Sequence, residues 1–252
     1  MEIIKIVFTD PPDELSITGY KQGEILQEGS LRRIKCTALS GNPLPELEWF
    51  AGNKKVGGAK LEKAESGAYV SLEISIKVDR SDNGKSYKCQ AKSEASEEPF
   101  RKSVALKVSF PPRRVKVEVE PESPIVGKPA VLKCLTDSSN PDTQILWWYN
   151  GEQIHGSDSQ TKVGIFGGSI SSSLLHIDVT EAHINAEYKC EARHAATSKS
   201  ISNTTKIGVQ CEYSQCQFIQ QKLNHSYFQI NHNSLMYLKK LTLKSIALEL
   251  LR

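Results

Sequence analysis

No stretch of about 18 apolar residues occurs anywhere in this 252-residue chain, so no segment reads as a helix that crosses a bilayer. A secretory leader is missing as well. Met1-Glu2-Ile3-Ile4-Lys5-Ile6-Val7-Phe8 has no basic start, no long apolar core and no small-residue cleavage site. Charge of one sign is also scarce where it would matter. The net charge is +3, but the excess lies beyond Gln210, where Lys222, Lys239, Lys240, Lys244 and Arg252 face only Glu212 and Glu249. Residues 1–210 are balanced, which excludes the electrostatic footprint of a nucleic-acid or anionic-membrane binder. Catalytic patterns are absent too. The histidines are scattered, and none is paired four residues apart with a glutamate between. Gly84-Lys85-Ser86 resembles the end of a phosphate-binding loop, but Asp79 stands where the upstream glycine is required. Gly168-Ser169-Ile170 lacks the following glycine of a nucleophile elbow. Cys211 and Cys216 have no second pair to complete a zinc site. No cofactor, metal or small-molecule substrate is called for, and the chain does not read as an enzyme.

What is present is a frame that occurs twice. Cys36, Trp49 and Tyr87-Lys88-Cys89 are matched by Cys134, Trp147 and Tyr188-Lys189-Cys190, with the same Cys-to-Trp spacing. A repeat at about 100 residues means two copies of one domain, not a solenoid. The runs around it alternate at period two. Ile34, Cys36 and Ala38 share a face, and Val70, Leu72, Ile74 and Ile76 alternate with Ser71, Glu73, Ser75 and Lys77. This combination is the signature of an immunoglobulin-type β-sandwich. The expected class is all-β, with two tandem sandwiches of C2/I type and a poorly ordered or partly helical C-terminal tail. In such domains Cys36–Cys89 and Cys134–Cys190 bridge the sheets, Trp49 and Trp147 pack on the bridges, and Tyr87 and Tyr188 occupy the tyrosine-corner position. Paired cysteines in small domains point to an oxidising compartment.

In chain order, residues 1–10 read either as the end of a preceding domain or as an ordinary arm. Ile4-Lys5-Ile6-Val7-Phe8-Thr9-Asp10-Pro11-Pro12 parallels Leu106-Lys107-Val108-Ser109-Phe110-Pro111-Pro112. Residues 11–110 form the first sandwich, closed by a strand with Val104, Leu106 and Val108. Pro111-Pro112-Arg113-Arg114 is a short, semi-rigid spacer. Residues 111–209 form the second sandwich, in which Gly164 to Ser173 reads as a turn-rich stretch and Ile207 and Val209 as the last strand. Residues 210–252 break the pattern, with Gln-, Asn- and His-rich segments and then a Leu-rich end whose apolar residues form no clean stripe.

Phe50 and Trp148 directly follow the core tryptophans, so strand alternation sends them to the outer face of the sheet that also holds the second cysteine. Exposed aromatics on a sheet face are candidate anchors of a protein interface; the competing reading is that neighbouring side chains cover them. Glu94, Glu97 and Glu98, between the last two strands of the first sandwich, are candidate rim charges or simply a solvated loop. Asn203-Thr204-Thr205 and Asn224-His225-Ser226 are candidate glycosylation sequons. Asn203 shares parity with Ile207 and Val209, so a regular strand turns it inward, and a loop or bulge is needed to expose it.

Gly41-Asn42-Pro43-x-Pro45 before Trp49, Asp82-Asn83-Gly84 before Tyr87 and Cys89, the Pro-Pro junctions, and Trp147-Trp148 resemble the nephrin family of multi-immunoglobulin adhesion proteins. Ala182-His183-Ile184-Asn185-Ala186 departs from the usual acidic corner before Tyr188, which puts that corner's salt bridge in question but not the fold. The resemblance implies a fragment of a single-pass, type I membrane protein. Its ectodomain binds other immunoglobulin-superfamily proteins, homophilically or heterophilically, at the extracellular face of the plasma membrane. Two alternatives stay open: an intracellular structural immunoglobulin array of the muscle type, and the ectodomain of an enzyme-linked receptor.

Overall fold

The computed structural model describes residues 9–210. Residues 1–8, Cys211, Cys216, the Asn224 sequon and the Leu-rich end lie outside the described residues. The first sandwich contains β1 (Glu14–Thr18), β2 (Ile25–Gln27), β3 (Leu31–Leu39), β4 (Glu46–Ala51), β5 (Lys54–Lys55), β6 (Lys60–Lys63), β7 (Tyr69–Lys77), β8 (Ser86–Lys92), β9 (Phe100–Ala105) and β10 (Lys107–Ser109). The second contains β11 (Val115–Glu120), β12 (Pro129–Thr136), β13 (Thr143–Tyr149), β14 (Glu152–Ile154), β15 (Ser157–Val163), β16 (Ser169–Asp178), β17 (Glu187–His194) and β18 (Ser200–Lys206). Each sandwich stacks two four-stranded sheets, ordered β1-β3-β7-β6 and β5-β4-β8-β9 in the first, and β11-β12-β16-β15 and β14-β13-β17-β18 in the second.

Period-two patterning builds both cores. Ile34, Cys36 and Ala38 on β3 are fully buried, and they face Ile74, Leu72 and Val70 across the β3–β7 pair. On the opposing sheet Trp49 pairs with Cys89, and Trp147 with Cys190. Cys36 and Cys89 are disulfide-bonded across the sheets with Cα atoms 6.3 Å apart, as are Cys134 and Cys190. The indole N–H of Trp49 donates to the Leu72 carbonyl at 2.8 Å, whereas that of Trp147 donates to Ser173 Oγ at 3.2 Å. A buried indole is thus satisfied in both cores, by backbone in one and by a side chain in the other.

Three local readings change. The closing run Val104, Leu106, Val108 is not one strand. β9 pairs antiparallel with β8, the chain breaks at Leu106, and β10 runs parallel to β2. The break has a polar cause: Leu106 gives its carbonyl to Gly84 N and its N–H to Lys85 O, at 2.8 and 3.1 Å. In the second sandwich the last strand is Ser200–Lys206, ahead of Ile207 and Val209. Ile207 is buried just past its end, and Gln210 pairs with Ile125. The serines from Ser169 to Ser173 lie in β16 instead of a loose turn. Ser171 and Ser173 face inward. Ser171 Oγ accepts from Thr143 N at 3.0 Å and Ser173 Oγ from the Trp147 indole at 3.2 Å, so small polar side chains fill core positions by hydrogen bonding, while the Ser171 backbone N–H donates to Thr136 Oγ1 at 3.0 Å.

Candidate interaction surface

The alternation that buries Trp49 and Trp147 turns Phe50 and Trp148 outward, onto equivalent rows of the two sandwiches. Phe50 on β4 lies between Lys55 of β5 and Lys88 of β8, with Ser103 of β9 beyond. Trp148 on β13 lies between Gln153 of β14 and Lys189 of β17, with Thr204 of β18 beyond. Lys88 Nζ stands 5.1 Å from the centroid of the Phe50 ring, and Lys189 Nζ 5.2 Å from that of Trp148. Each cation lies within the distance of a cation–π contact, worth about 0.5–1 kcal/mol at exposed sites. Both aromatic residues are half-buried. The Trp148 indole N–H is covered and has no acceptor among the described residues.

A nearly buried carboxylate lies beside each ring. Glu48 is 8% exposed and takes Lys55 at 2.6 Å and Lys92 at 2.8 Å. The hydrogen bond from Lys55, followed by that from Lys92, holds its carboxyl below the usual glutamate range. In the second sandwich Glu191, 9% exposed, lies 3.7 Å from Lys189 and 3.5 Å from Arg193. Each sheet face therefore presents an aromatic ring, lysine stems and a screened carboxylate. This mixture can bury apolar area against another protein while its charges fix register.

Glu94, Glu97 and Glu98 are exposed in the β8–β9 turn, with Arg101 Nη1 3.6 Å from Glu98. Tyr87 Oη donates to Asp82 Oδ1 at 3.1 Å, which makes a polar corner. Its counterpart Tyr188 has His183 where Tyr87 has Asp82. Its ring stacks on the imidazole with centroids 6.4 Å apart, and its hydroxyl has no partner among the described residues. Burial, with Tyr149 adding a smaller effect, pushes the Tyr188 phenol up to about 12. Asn203 lies in the regular strand β18 opposite Cys190, so it has the inward parity, yet it is exposed. β18 is the edge of its sheet, and at that open edge Asn203 Nδ2 donates to the Val115 carbonyl of β11 at 3.1 Å. Neither a loop nor a bulge is needed to expose it.

A second cluster has no counterpart in the sequence reading. Arg80, Glu28, Asn83 and Arg113 converge where the first sandwich meets the second. One sequence signal marks this region: Asn42-Pro43 and Asn140-Pro141 stand at the same distance from Cys36 and Cys134, and both peptide bonds are cis.

Sequence models agree with this architecture along its length. A model of the immunoglobulin I-set domain matches residues 16–108, and a model of the immunoglobulin domain matches residues 112–194. The chain belongs to the immunoglobulin superfamily. Within that superfamily it is related to nephrin: mouse nephrin is 31% identical over 197 residues, covering 78% of this chain and 15% of that protein. Human cell adhesion molecule 2 is 24% identical, covering 75% of this chain and 42% of that protein. The chain thus spans less than half the length of either relative. Among solved structures, Rst D1-D2 superposes with a TM-score of 0.54 at 16% identity, covering 78% of this chain and 99% of that one. At that identity the match bears on the immunoglobulin fold alone.

Proposed function

We propose that this chain is part of the ectodomain of a single-pass cell-surface adhesion receptor, and that it acts by non-covalent binding to other immunoglobulin-superfamily proteins without catalysis. The observation that carries the reading is the repeated outer-face row, an aromatic ring under a lysine beside a screened carboxylate, at Phe50 and again at Trp148. Such faces combine a rigid apolar anchor with polar neighbours, the composition of a protein contact surface. Relatedness to nephrin and to cell adhesion molecule 2 supports the same reading. An exposed Asn203 within a sequon fits passage through the secretory route and makes it a candidate glycan site.

The competing assignment is an intracellular structural array, and the redox state of the cores separates the two. Intact-mass and peptide mapping of the native protein, alkylated with and without prior reduction, is the test. The receptor reading expects Cys36–Cys89 and Cys134–Cys190 linked and closed to alkylation until reduced. Free thiols at Cys36 and Cys89 in native material would sink it.

A further inference from the structure

We propose that Arg80 clamps the first sandwich onto the second, so that the two move as one rigid unit and not as beads on a hinge. Motion between tandem domains is the default expectation unless something specific opposes it. Here the opposition is a nearly buried guanidinium shared between both domains and the connection between them.

Arg80 sits in the 3-10 turn Arg80–Asp82 and is 5% exposed. Its Nε and Nη2 donate to Glu28 Oε1 and Oε2, both at 2.8 Å, which is the bidentate fork that a carboxylate matches. Nη2 also donates to the Pro111 carbonyl at 3.1 Å, and Nη1 reaches the Ser138 carbonyl of the second sandwich at 3.5 Å. Its guanidinium carbon lies 5.0 Å from the centroid of Phe110. If the second sandwich swung away, Arg80 would lose the Ser138 carbonyl, and Phe110, now fully buried, would be uncovered.

Further hydrogen bonds hold the same geometry. Phe110 and Asn140 exchange both backbone hydrogen bonds, at 2.8 and 2.9 Å, and Asn140 Nδ2 donates to the Val108 carbonyl at 2.7 Å. Asn83 uses both ends of its amide. Oδ1 accepts from Val108 N at 2.9 Å, and Nδ2 donates to the Phe166 carbonyl of the second sandwich at 2.8 Å. Phe166 is held at φ +56, an unfavourable region for a bulky residue, and its carbonyl is engaged there by Asn83. The connection is pinned from both sides as well. Arg113 Nη2 donates to Glu28 Oε1 at 2.8 Å, while Arg113 N donates to Asp137 Oδ1 at 2.7 Å. At the start of the first sandwich Asp10 and Asn42 exchange the equivalent two backbone bonds, both at 2.9 Å.

The test is a set of backbone residual dipolar couplings on the full chain, fitted separately for each sandwich. The native chain is expected to give one shared alignment tensor, oriented as in the structure. Arg80→Ala is expected to lose it, the two sandwiches then fitting tensors of different magnitude. Arg80→Lys keeps a cation for Glu28 but lacks the planar fork. It therefore decides the matter if Arg80→Ala disturbs the first sandwich itself, and the same loss is expected. Unequal tensors in the native chain, or a shared tensor retained in Arg80→Lys, would overturn the proposal.

Discussion

Tyr87 and Tyr188 occupy equivalent positions and have different partners, which makes them a controlled comparison of one hydroxyl. Tyr87 donates to the nearly buried carboxylate of Asp82, and a hydrogen bond to a charged group is worth about 1.5–3 kcal/mol. Tyr188 keeps the ring packing but has no such acceptor among the described residues. Tyr87→Phe is therefore expected to cost about 2 kcal/mol. Tyr188→Phe should change stability by less than about 0.5 kcal/mol, within the range of substitutions that remove no specific contact. Urea unfolding of the two variants side by side checks the pair, and equal losses would show that the Asp82 contact adds nothing. The replacement of Asp82 by His183 was visible in the sequence. The stacking of His183 against Tyr188 was not: the imidazole is held at its Nδ1 by the Thr180 N–H at 2.9 Å, and Tyr149, contributed by a different strand, packs against both rings.

At the scale of elements, the strands that bury one face were legible, and those that depart from strict alternation were not. The runs at Ile34–Ala38 and Val70–Ile76 announce their inward faces by period alone. The serines of β16 do not, since a polar side chain in a core position is recognisable only once its partner is known, the Thr143 N–H for Ser171 and the Trp147 indole for Ser173. Asn203 shows the opposite limit. Parity fixed its direction, but exposure depended on β18 being an edge strand. The Phe50 and Trp148 rows were legible as outward positions, whereas the lysines over them come from β8 and β17, far along the chain. Arg80 was illegible for the same reason: its partners Glu28, Pro111 and Ser138 lie 52, 31 and 58 positions away. Close packing at this joint gives a prediction of its own. A Cβ on Gly168 would lie 2.6 Å from the Ser139 carbonyl oxygen and 2.8 Å from Phe110 Cζ, while one on Gly208 would meet nothing within 4 Å. Gly168→Ala is expected to cost about 1–3 kcal/mol by overpacking. Gly208→Ala should stay within about 0.5 kcal/mol of the native chain, as measured by thermal unfolding of each variant.

For the whole molecule, the joint should respond to acid. The hydrogen bond from Arg80, followed by the charges of Arg80 and Arg113, holds the Glu28 carboxyl below the usual glutamate value of 4.5. A carboxylate depressed in the folded state contributes stability that is complete above its unfolded value and lost as the pH falls through the folded one. Asp79, held low chiefly by the Ser81 backbone N–H, adds to the loss of stability on acidification. Small-angle scattering of the full chain should thus show no change from neutral pH down to about 4.5 and a more extended, heterogeneous particle below it. Loosening on raising the pH from neutral would contradict this assignment of Glu28.

A joint of fixed geometry would hold the Phe50 and Trp148 faces in a constant relation, so that a partner could engage both in one pose. The most direct test of this account is binding of the full chain to a panel of immunoglobulin-superfamily ectodomains, the chain itself included, by surface plasmon resonance. The native chain is compared with Phe50→Ala, Trp148→Ala and the double variant, each first checked for native disulfides and unfolding midpoint. The account predicts saturable binding to at least one member, weakened about thirtyfold by loss of an anchor worth about 2 kcal/mol. Binding that survives the double variant unchanged, or no binding to any member by the natively folded chain, would contradict it.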